Sequence, residues 1–515
     1  MSVKLLKSTA VVSAMTLLSR VFGFVRDMVM ALTFGAGAAT DVFFVVFRIT
    51  NFMRQLFAEG AFSQAFVPVL AQYKAAGDAR REQVLLDSVA GTLGGVLFVV
   101  SLVGVVAAPV LILVAAPGFY DEPAKYRLGA ELLRLTFPYL LFISLTAFAG
   151  AILNAYGRFA VPAFTPVWLN VVLIGAMWWV APHLERPIMA LAGAVFVAGL
   201  VQLGFQLPFL YGLRRLPRPR WGWAHDGVRK IVRLMGPAVF GASVAQINLL
   251  FDIWLASLLV TGSISWLYYS DRLLQFPLGV IAIALATVIL PTLSRLHAHQ
   301  DRQAFMSMLD WGLRWALVLG APAAIALLSV AGPLLTTLFY YGEFSAEAVY
   351  QARLSLMAYA IGLPGFMLIK VLTPGYFARQ DTKTPVRAAM IAIAVNAVLS
   401  VALIAPLAHV GLALATSLSA YVNVGLLLRG LWRDGVYRRQ PGWWGFGARL
   451  LGAGGLLAAG LWWWAPETAH WMAVDASQRA LWMLVTVAGG VALYAGALWM
   501  LGVSRDRLWV KPTGL

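Results

Sequence analysis

Residues 88–120 read SVAGTLGGVLFVVSLVGVVAAPVLILVAAPGFY and contain no Asp, Glu, Lys, Arg or His. A helix needs about 20 mostly apolar residues to cross the hydrocarbon core of a bilayer, so this stretch is long enough to span a membrane. The whole chain has the same character, because 61% of its 515 residues are hydrophobic and only 12% are charged. A soluble protein carries about 25% charged residues, so this composition excludes a soluble enzyme.

Similar apolar runs recur along the chain. Thirteen of them are free of charge and histidine: 88–120, 135–157, 159–182, 187–213, 234–251, 253–270, 273–294, 315–342, 354–369, 388–408, 410–428, 450–466 and 480–504. Two earlier segments, 5–34 and 41–73, are apolar but interrupted by charges. Run 253–270 contains the turn-like sequence Thr261-Gly262-Ser263, so we divide it between its neighbours. The pattern predicts an all-α membrane protein with fourteen transmembrane helices.

The basic residues are distributed unevenly between alternate loops. One side of the predicted membrane carries 26 Lys and Arg residues and the other carries 4. Short cytoplasmic loops collect Lys and Arg, so this asymmetry predicts an even number of spans with both termini in the cytoplasm. It also accounts for most of the net charge of +17 without a nucleic-acid partner.

The chain partly repeats itself. Pro68 closes a predicted helix that contains Arg48, and Pro291 closes one that contains Arg272. The repeat predicts two six-helix lobes of the same topology, related by an axis along the membrane normal, with helices 13 and 14 outside it. The predicted divisions are 1–213 for the first lobe, 214–233 for a cytoplasmic linker, 234–433 for the second lobe, and 434–515 for the last two helices.

Several charged residues fall inside predicted helices, where each costs about 2.5–3.5 kcal/mol near the centre of the bilayer. Such residues should therefore face protein or water. The basic members are Arg20, Arg26, Arg48, Arg54, Arg134, Arg272, Arg314, Arg353 and Lys370. We expect Arg134, Arg314 and Arg353, which lie near helix ends, to form local ion pairs or to extend towards the membrane surface.

The other basic residues have few acidic neighbours. Asp41, Arg48 and Glu59 share one face if the helix is unbroken, and Asp27 shares a face with Arg20. Interhelical ion pairs are one interpretation of Asp27, Arg48 and Glu59. An excess of cations in a membrane cavity is the other, and it predicts an anionic substrate, since arginine binds phosphate through two parallel hydrogen bonds.

No other chemistry is indicated. The chain has no cysteine, its six histidines lie in loops or at helix ends, and it has no nucleotide-binding motif, so we predict no enzyme activity, metal or cofactor. Transport would then depend on the membrane potential or a monovalent cation. Asp252 and Asn396 are weak candidates for ion coupling, and structural hydrogen bonding is the alternative.

Four motifs carry a resemblance to a known family. They are SRVFGFVRD at 19–27, FGAG at 34–37 with TD at 40–41, FAEGAFSQAFVP at 57–68, and WLYYSDRLLQFP at 266–277. Together they make the chain similar to the MurJ (MviN) family of lipid II flippases. The resemblance implies the fold of the multidrug/oligosaccharidyl-lipid/polysaccharide exporter superfamily, with a groove for the lipid tail at the two extra helices.

The resemblance also implies a location, a substrate and a site. The protein would act in the bacterial inner membrane, contact membrane lipids and other cell-wall synthesis proteins, and move lipid II from the cytoplasmic to the periplasmic face by alternating access. Arg20, Arg26, Asp41, Arg54 and Arg272 would line a central cavity, and Arg48, Glu59 and Lys370 complete the candidate substrate-binding set.

Two positions depart from the family pattern. Gln55 stands where many relatives have a second basic residue, and Thr50 stands where they often have proline. An O-antigen-type polysaccharide-lipid flippase fits the fold and the charge, and only the specific motifs oppose it. An ion-coupled drug exporter of the same superfamily should have an aromatic and acidic cavity, and a membrane scaffold has no need of arginines in mid-membrane.

Overall fold

The computed structural model describes residues 3–279, 283–465 and 467–503. Within them, the side chains of 3–10, 58–61, 238, 240–245, 247, 283, 284, 286 and 287 lie outside the description. The described residues form helices and connecting turns and contain no strand, which confirms the predicted all-α class. The chain divides into two compact units, Met1–Ile264 and Ser265–Leu515.

The helices of the first unit follow one another with short connections. They are α1 Val3–Phe34, α2 Ala38–Arg54, α3 Ala61–Ala75, α4 Ala79–Val106, α5 Ala108–Ala115, α6 Pro123–Thr136, α7 Tyr139–Ala155, α8 Ala160–Gly175, α9 Met189–Gly212 and α10 Asp226–Ala256. A π-helical turn, Gln55–Gly60, joins α2 to α3. The core of this unit includes a cluster of three phenylalanine rings, Phe62, Phe66 and Phe148.

The remaining helices begin at the boundary between the units. They are α11 Ser263–Pro277, α12 Ile283–Ala298, α13 Arg302–Phe339, α14 Ala346–Phe377, α15 Lys383–Arg433, α16 Trp443–Trp464, α17 Thr468–Ala473 and α18 Ala476–Met500. Helices α16 and α18 pack on α13 through a cluster that includes Leu457, Leu461 and Val330.

Eight described helical segments are long and apolar enough to cross a membrane: Ala79–Val106, Pro123–Ala155, Ala160–His183, Met189–Gly212, Arg302–Phe339, Ala346–Phe377, Lys383–Arg433 and Ala476–Met500. The protein is therefore a polytopic membrane protein. Fourteen spans are consistent with these eight segments, because α15 contains two helices that meet at Ala408. The total of fourteen stays a prediction.

Breaks between helices occur near two predicted positions and at one that was not predicted. Gly262, between α10 and α11, has a φ of +99°, which glycine tolerates. Ala408 interrupts α15 with a φ of 48° and a ψ of −130°, beside the predicted division at His409. The run 88–120 is not one helix, since α4 ends at Val106 and α5 begins at Ala108, with Pro109 in its first turn.

Helix starts at the ends of loops are capped by polar side chains. Asp78 accepts hydrogen bonds from the backbone N–H groups of Arg80 and Arg81, at 2.9 and 3.0 Å. The bond from Arg81 lowers the pKa of this exposed carboxyl. Asp301 and Ser345 cap α13 and α14 in the same way. These caps satisfy backbone donors that have no partner inside the helix.

The backbone of the linker that follows α9 packs along α4. The N–H of Arg218 donates to the Asp87 carboxylate at 2.8 Å, and the N–H of Arg220 donates to the Asp87 carbonyl at 3.0 Å. A Cβ at Gly91 would lie 2.1 Å from the carbonyl oxygen of Arg220. Glycine at this position therefore lets the linker pack directly against the helix.

Candidate substrate site

Arg26 on α1 is buried and has partners on two helices. Its Nε and Nη2 donate to Asp27 Oδ1 at 2.9 and 2.6 Å, and its Nη1 donates to Asn170 Oδ1 on α8 at 3.1 Å. The guanidinium carbon lies 5.8 Å from the centre of the Phe47 ring on α2. Helix α1 runs through Gly23 as a single element. Asp27 pairs with its neighbour Arg26, whereas its spacing along the helix predicts Arg20 as the partner.

The other basic candidates of the first unit are more accessible. Arg20 is exposed, and Arg48 and Arg54 are half-buried. Arg54 ends α2 and donates from Nε to Asn51 Oδ1 at 3.2 Å. The π-helical turn follows it directly, so α2 does not continue unbroken from Arg48 to Glu59 and the two need not share a face. The side chain of Glu59 lies outside the described residues.

Asp41 is buried at the start of α2, and it fixes the turn before α11. Its Oδ2 accepts a hydrogen bond from the backbone N–H of Gly262 at 2.6 Å. Lys125 Nζ reaches the same turn, donating to Thr261 Oγ1 at 2.6 Å while pairing with Glu122 at 2.6 Å. A hydrogen bond to a backbone N–H suits an ionised carboxylate, so these contacts give Asp41 a structural role in addition to the predicted contact with substrate.

In the second unit, Arg272 is half-buried on α11. Its Nη2 donates to the Tyr268 hydroxyl at 3.0 Å, and its guanidinium carbon lies 4.9 Å from the centre of that ring. Lys370 on α14 is exposed, and Asn396 on α15 is buried. Asp252 on α10 is half-buried. The part each plays in binding substrate or coupling ion stays a prediction.

Arg314 forms the predicted local ion pair, although it lies about three turns inside α13 and not near a helix end. Its Nε donates to Asp310 Oδ2 at 2.7 Å, four residues earlier on α13. Asp310 Oδ1 also accepts from the Tyr437 hydroxyl at 2.7 Å and from Trp443 Nε1 at 2.6 Å. Burial, together with the bond to Asp310, raises the pKa of Tyr437, so its hydroxyl stays protonated and donates.

Arg134 is exposed, and its predicted extension towards the membrane surface stays a prediction. Glu131, three residues earlier on α6, pairs with Arg186 at 2.7 Å. The burial of Arg479 was not predicted. The sequence pattern assigns this residue to a loop, whereas the structure buries it in the first turn of α18. Its guanidinium donates to three backbone carbonyls, those of Val474, Met472 and Tyr340, at 2.9–3.0 Å. The spacing of residues gives no signal for carbonyl partners, which only the folded loop brings together.

The described residues contain no group of three or more His, Cys, Asp or Glu side chains that would suit a metal ion. Within the first unit, Arg20, Arg26 and Asp27 share α1, and Asp41, Arg48 and Arg54 share α2. Arginine on two helices, with a buried carboxylate beside one of them, can bind a diphosphate through charge-assisted hydrogen bonds. This chemistry is recognition and carries no covalent step.

Several proteins are similar to this chain over nearly its whole length. A protein of Vibrio cholerae serotype O1 named "probable lipid II flippase MurJ" is 52% identical over 511 residues, which cover 98% of this chain and 97% of that protein. One of Haemophilus influenzae with the same name is 45% identical, covering 96% and 100%. The "lipid II flippase MurJ" of Burkholderia cenocepacia is 41% identical, covering 97% and 98%.

Solved structures agree on the fold. A structure titled "Lipid II flippase MurJ, inward closed conformation" matches with a TM-score of 0.80 and 23% identity, over 96% of this chain and 99% of that one. An inward-facing multidrug transporter of the MATE family matches with a TM-score of 0.66 and 13% identity, over 83% and 98%. The family described as lipid II flippase MurJ matches residues 30–481. The chain therefore belongs to the MurJ family of lipid II flippases.

Proposed function

We propose that this protein is a lipid II flippase of the bacterial inner membrane. It moves the undecaprenyl-diphosphate disaccharide-pentapeptide from the cytoplasmic to the periplasmic face by alternating access. The observation that carries the proposal is the family match over residues 30–481, together with relatives 41–52% identical along nearly the whole chain. The drug-exporter and O-antigen alternatives are not favoured, because the similarity to multidrug transporters extends to the fold alone.

The arginines supply the chemistry that this substrate requires. Arg20, Arg26, Arg54 and Arg272 would bind the diphosphate, since a guanidinium stays ionised when it is partly dehydrated. Asp41, Arg48, Glu59 and Lys370 complete the proposed site. The two lobes divided at 214–233, the cytoplasmic termini and the groove for the lipid tail at 434–515 belong to the same proposal.

Depletion of the protein tests this function directly. A strain whose only copy is repressed should accumulate lipid II on the cytoplasmic face of its inner membrane. A label added from outside, which modifies only lipid II exposed in the periplasm, should react less as the protein disappears, and re-expression should restore the reaction. Unchanged labelling in depleted cells that still make lipid II would contradict the proposal.

The membrane potential would supply the energy. Lipid II carries negative charge, and each net charge moved to the positive outer face releases about 2.3 kcal/mol per 100 mV. The emptied cavity, rich in cations, would be driven back towards the negative inner side. Both half-cycles therefore favour export.

An ionophore that collapses the potential at a constant pH gradient should stall the appearance of headgroups outside. It should also trap one conformation, which cysteine cross-linking would detect in this cysteine-free chain. Unchanged flipping would instead favour coupling to a monovalent cation, with Asp252 and Asn396 as the first residues to test.

A further inference from the structure

Asn170 on α8 contacts α1 at two points, one on each side of Gly23. Its Nδ2 donates to the backbone carbonyl of Ser19 at 3.2 Å, and its Oδ1 accepts from Arg26 Nη1 at 3.1 Å. The side chain is buried, with 6% of the residue exposed. One amide group therefore joins the arginine of α1 and the backbone of the preceding turns to a second helix.

Both contacts need an amide. A carbonyl oxygen can only accept and a guanidinium can only donate, so the orientation of the amide is fixed by its partners. An aspartate would place an acceptor against Ser19, and an alanine would lose both bonds. Gly23 lies beside this group, since a Cβ there would make an ordinary contact with Asn170 Nδ2 at 3.7 Å.

Helix α8 is itself tied to α9, one and a half turns before Asn170. Gln202 Nε2 donates to the Thr165 carbonyl at 3.3 Å, and Gln206 Nε2 donates to Thr165 Oγ1 at 2.8 Å. All three side chains are buried. Asn170 therefore stands on a helix whose position is set independently of α1.

We propose that Asn170 is a positioning residue that aims the Arg26 guanidinium for recognition of the diphosphate. Asp27 neighbours Arg26 on α1, so their ion pair orients the guanidinium relative to α1 only. The bond to Asn170 orients it relative to α8 as well, and bidentate recognition of phosphate depends on that direction. The inference rests on the proposed function, in which Arg26 binds lipid II.

A double-mutant cycle on lipid II affinity tests the inference with purified protein in nanodiscs. Asn170→Ala should raise the Kd for lipid II about tenfold, since a hydrogen bond to a charged group is lost. In an Arg26→Ala background the same change should have no further effect. Ser144→Ala serves as the control, because it removes a buried polar group elsewhere in the same unit, and it should leave the Kd unchanged.

Variants at Gly23 give a second approach that leaves Asn170 in place. Gly23→Val should displace the amide and reproduce the loss of affinity, whereas Gly23→Ala should bind normally because its Cβ makes ordinary contact. If Asn170→Ala fails to fold, the Gly23 variants still test whether Asn170 positions Arg26.

The outcomes separate the inference from the function on which it rests. Equal losses with and without Arg26, or no loss in either background, would overturn the positioning role while leaving lipid II binding intact. Normal affinity in Arg26→Ala would remove Arg26 from the site, and the inference with it. Absence of lipid II binding in the folded, unmutated protein would contradict the proposed function itself.

Discussion

Arg26 in the first unit and Arg314 in the second are both buried arginines paired with a carboxylate of their own helix. The Arg314 network is closed. Both oxygens of Asp310 have donors, and the guanidinium carbon of Arg314 lies 4.9 and 5.0 Å from the centres of the Trp443 and Phe446 rings. Arg26 pairs with Asp27 and also bonds to a neutral amide on a second helix.

The two surroundings suit different purposes. The Arg314 network joins α13, the loop before α16 and the first turn of α16 through side chains that stay inside the protein, which suits a structural role. Arg26 lies six residues from the exposed Arg20 on the same helix, and both belong to the set of residues proposed to bind the diphosphate. Under the proposed function, burial of an arginine would not by itself distinguish a structural role from a functional one.

The largest expected effect extends the functional side of the comparison to the second unit. Arg272→Ala should abolish lipid II transport with little change in membrane abundance, because the cation that would bind the diphosphate is lost. Arg272→Lys should retain part of the activity, since it keeps the charge but not the paired hydrogen bonds. Complementation of a depleted strain, with immunoblots of membranes, measures both quantities. Full complementation by the alanine variant would remove Arg272 from the site.

The structural side is tested by opening the closed network. Asp310→Ala should lower the free energy of unfolding by about 3–5 kcal/mol, because Arg314 would be left as an uncompensated buried charge. Thermal unfolding in detergent would record the change. Asp27→Ala is the matched variant. It also leaves a buried arginine without its carboxylate and should cost stability, and it should in addition reduce lipid II affinity. If Asp27→Ala is the more destabilising of the two, the comparison between the networks fails.

The first unit also contains a contact with a structural role, because the linker packs closely on α4. Gly91→Leu should destabilise the protein by about 1–3 kcal/mol, since its Cβ alone would overlap the backbone of Arg220. The linker should then become sensitive to protease. Gly193→Leu on α9, where a Cβ meets nothing within 4 Å, is the control. Equal protease resistance in the unmutated protein and both variants would show that the linker does not depend on its contact with α4.

The smallest effect concerns α16, whose first residue belongs to the Arg314 network. Leu457 is buried against α13 and α18, and Leu456 is 52% exposed. Leu457→Gln should reduce transport of long-chain lipid II severalfold more than transport of a short-chain analogue, because it disturbs the proposed tail groove. Leu456→Gln, at the neighbouring exposed position, is the control. Equal loss for both substrates, measured in reconstituted vesicles, would count against a groove for the tail.

Much of the fold could be predicted from the sequence, because hydrophobic length is a strong signal. The turn at Gly262 and the break beside His409 were both marked by polar residues between apolar runs. The break at Ala107 was not predicted, since alanine is as apolar as its neighbours. Charge-free runs report where the chain is apolar, and they do not report where the backbone turns.

The candidate site was harder to predict, since its contacts depend on side-chain reach. Residues next to each other on a helix point about 100° apart, so Arg26 and Asp27 gave no spacing signal. The long arginine side chain nevertheless bends back to its neighbour. Asn170 gave no signal either, because a single amide in an apolar run is usually a structural hydrogen-bonding group. The pairing of Arg314 with Asp310 was predictable, as residues four apart share a face.

The docking of the linker along α4 affects which residues can change without harm. The linker forms its bonds through the backbone N–H groups of Arg218, Arg220 and Gly222, which almost every amino acid possesses. The side chains of Arg218 and Arg220 can therefore vary while these bonds persist. Gly222 cannot vary in the same way, since a Cβ there would lie 2.4 Å from the Cβ of Ser88. On α4, Asp87 must accept and Gly91 must stay small. The attachment thus constrains the helix and one glycine of the linker, and it leaves the two linker arginines free to change.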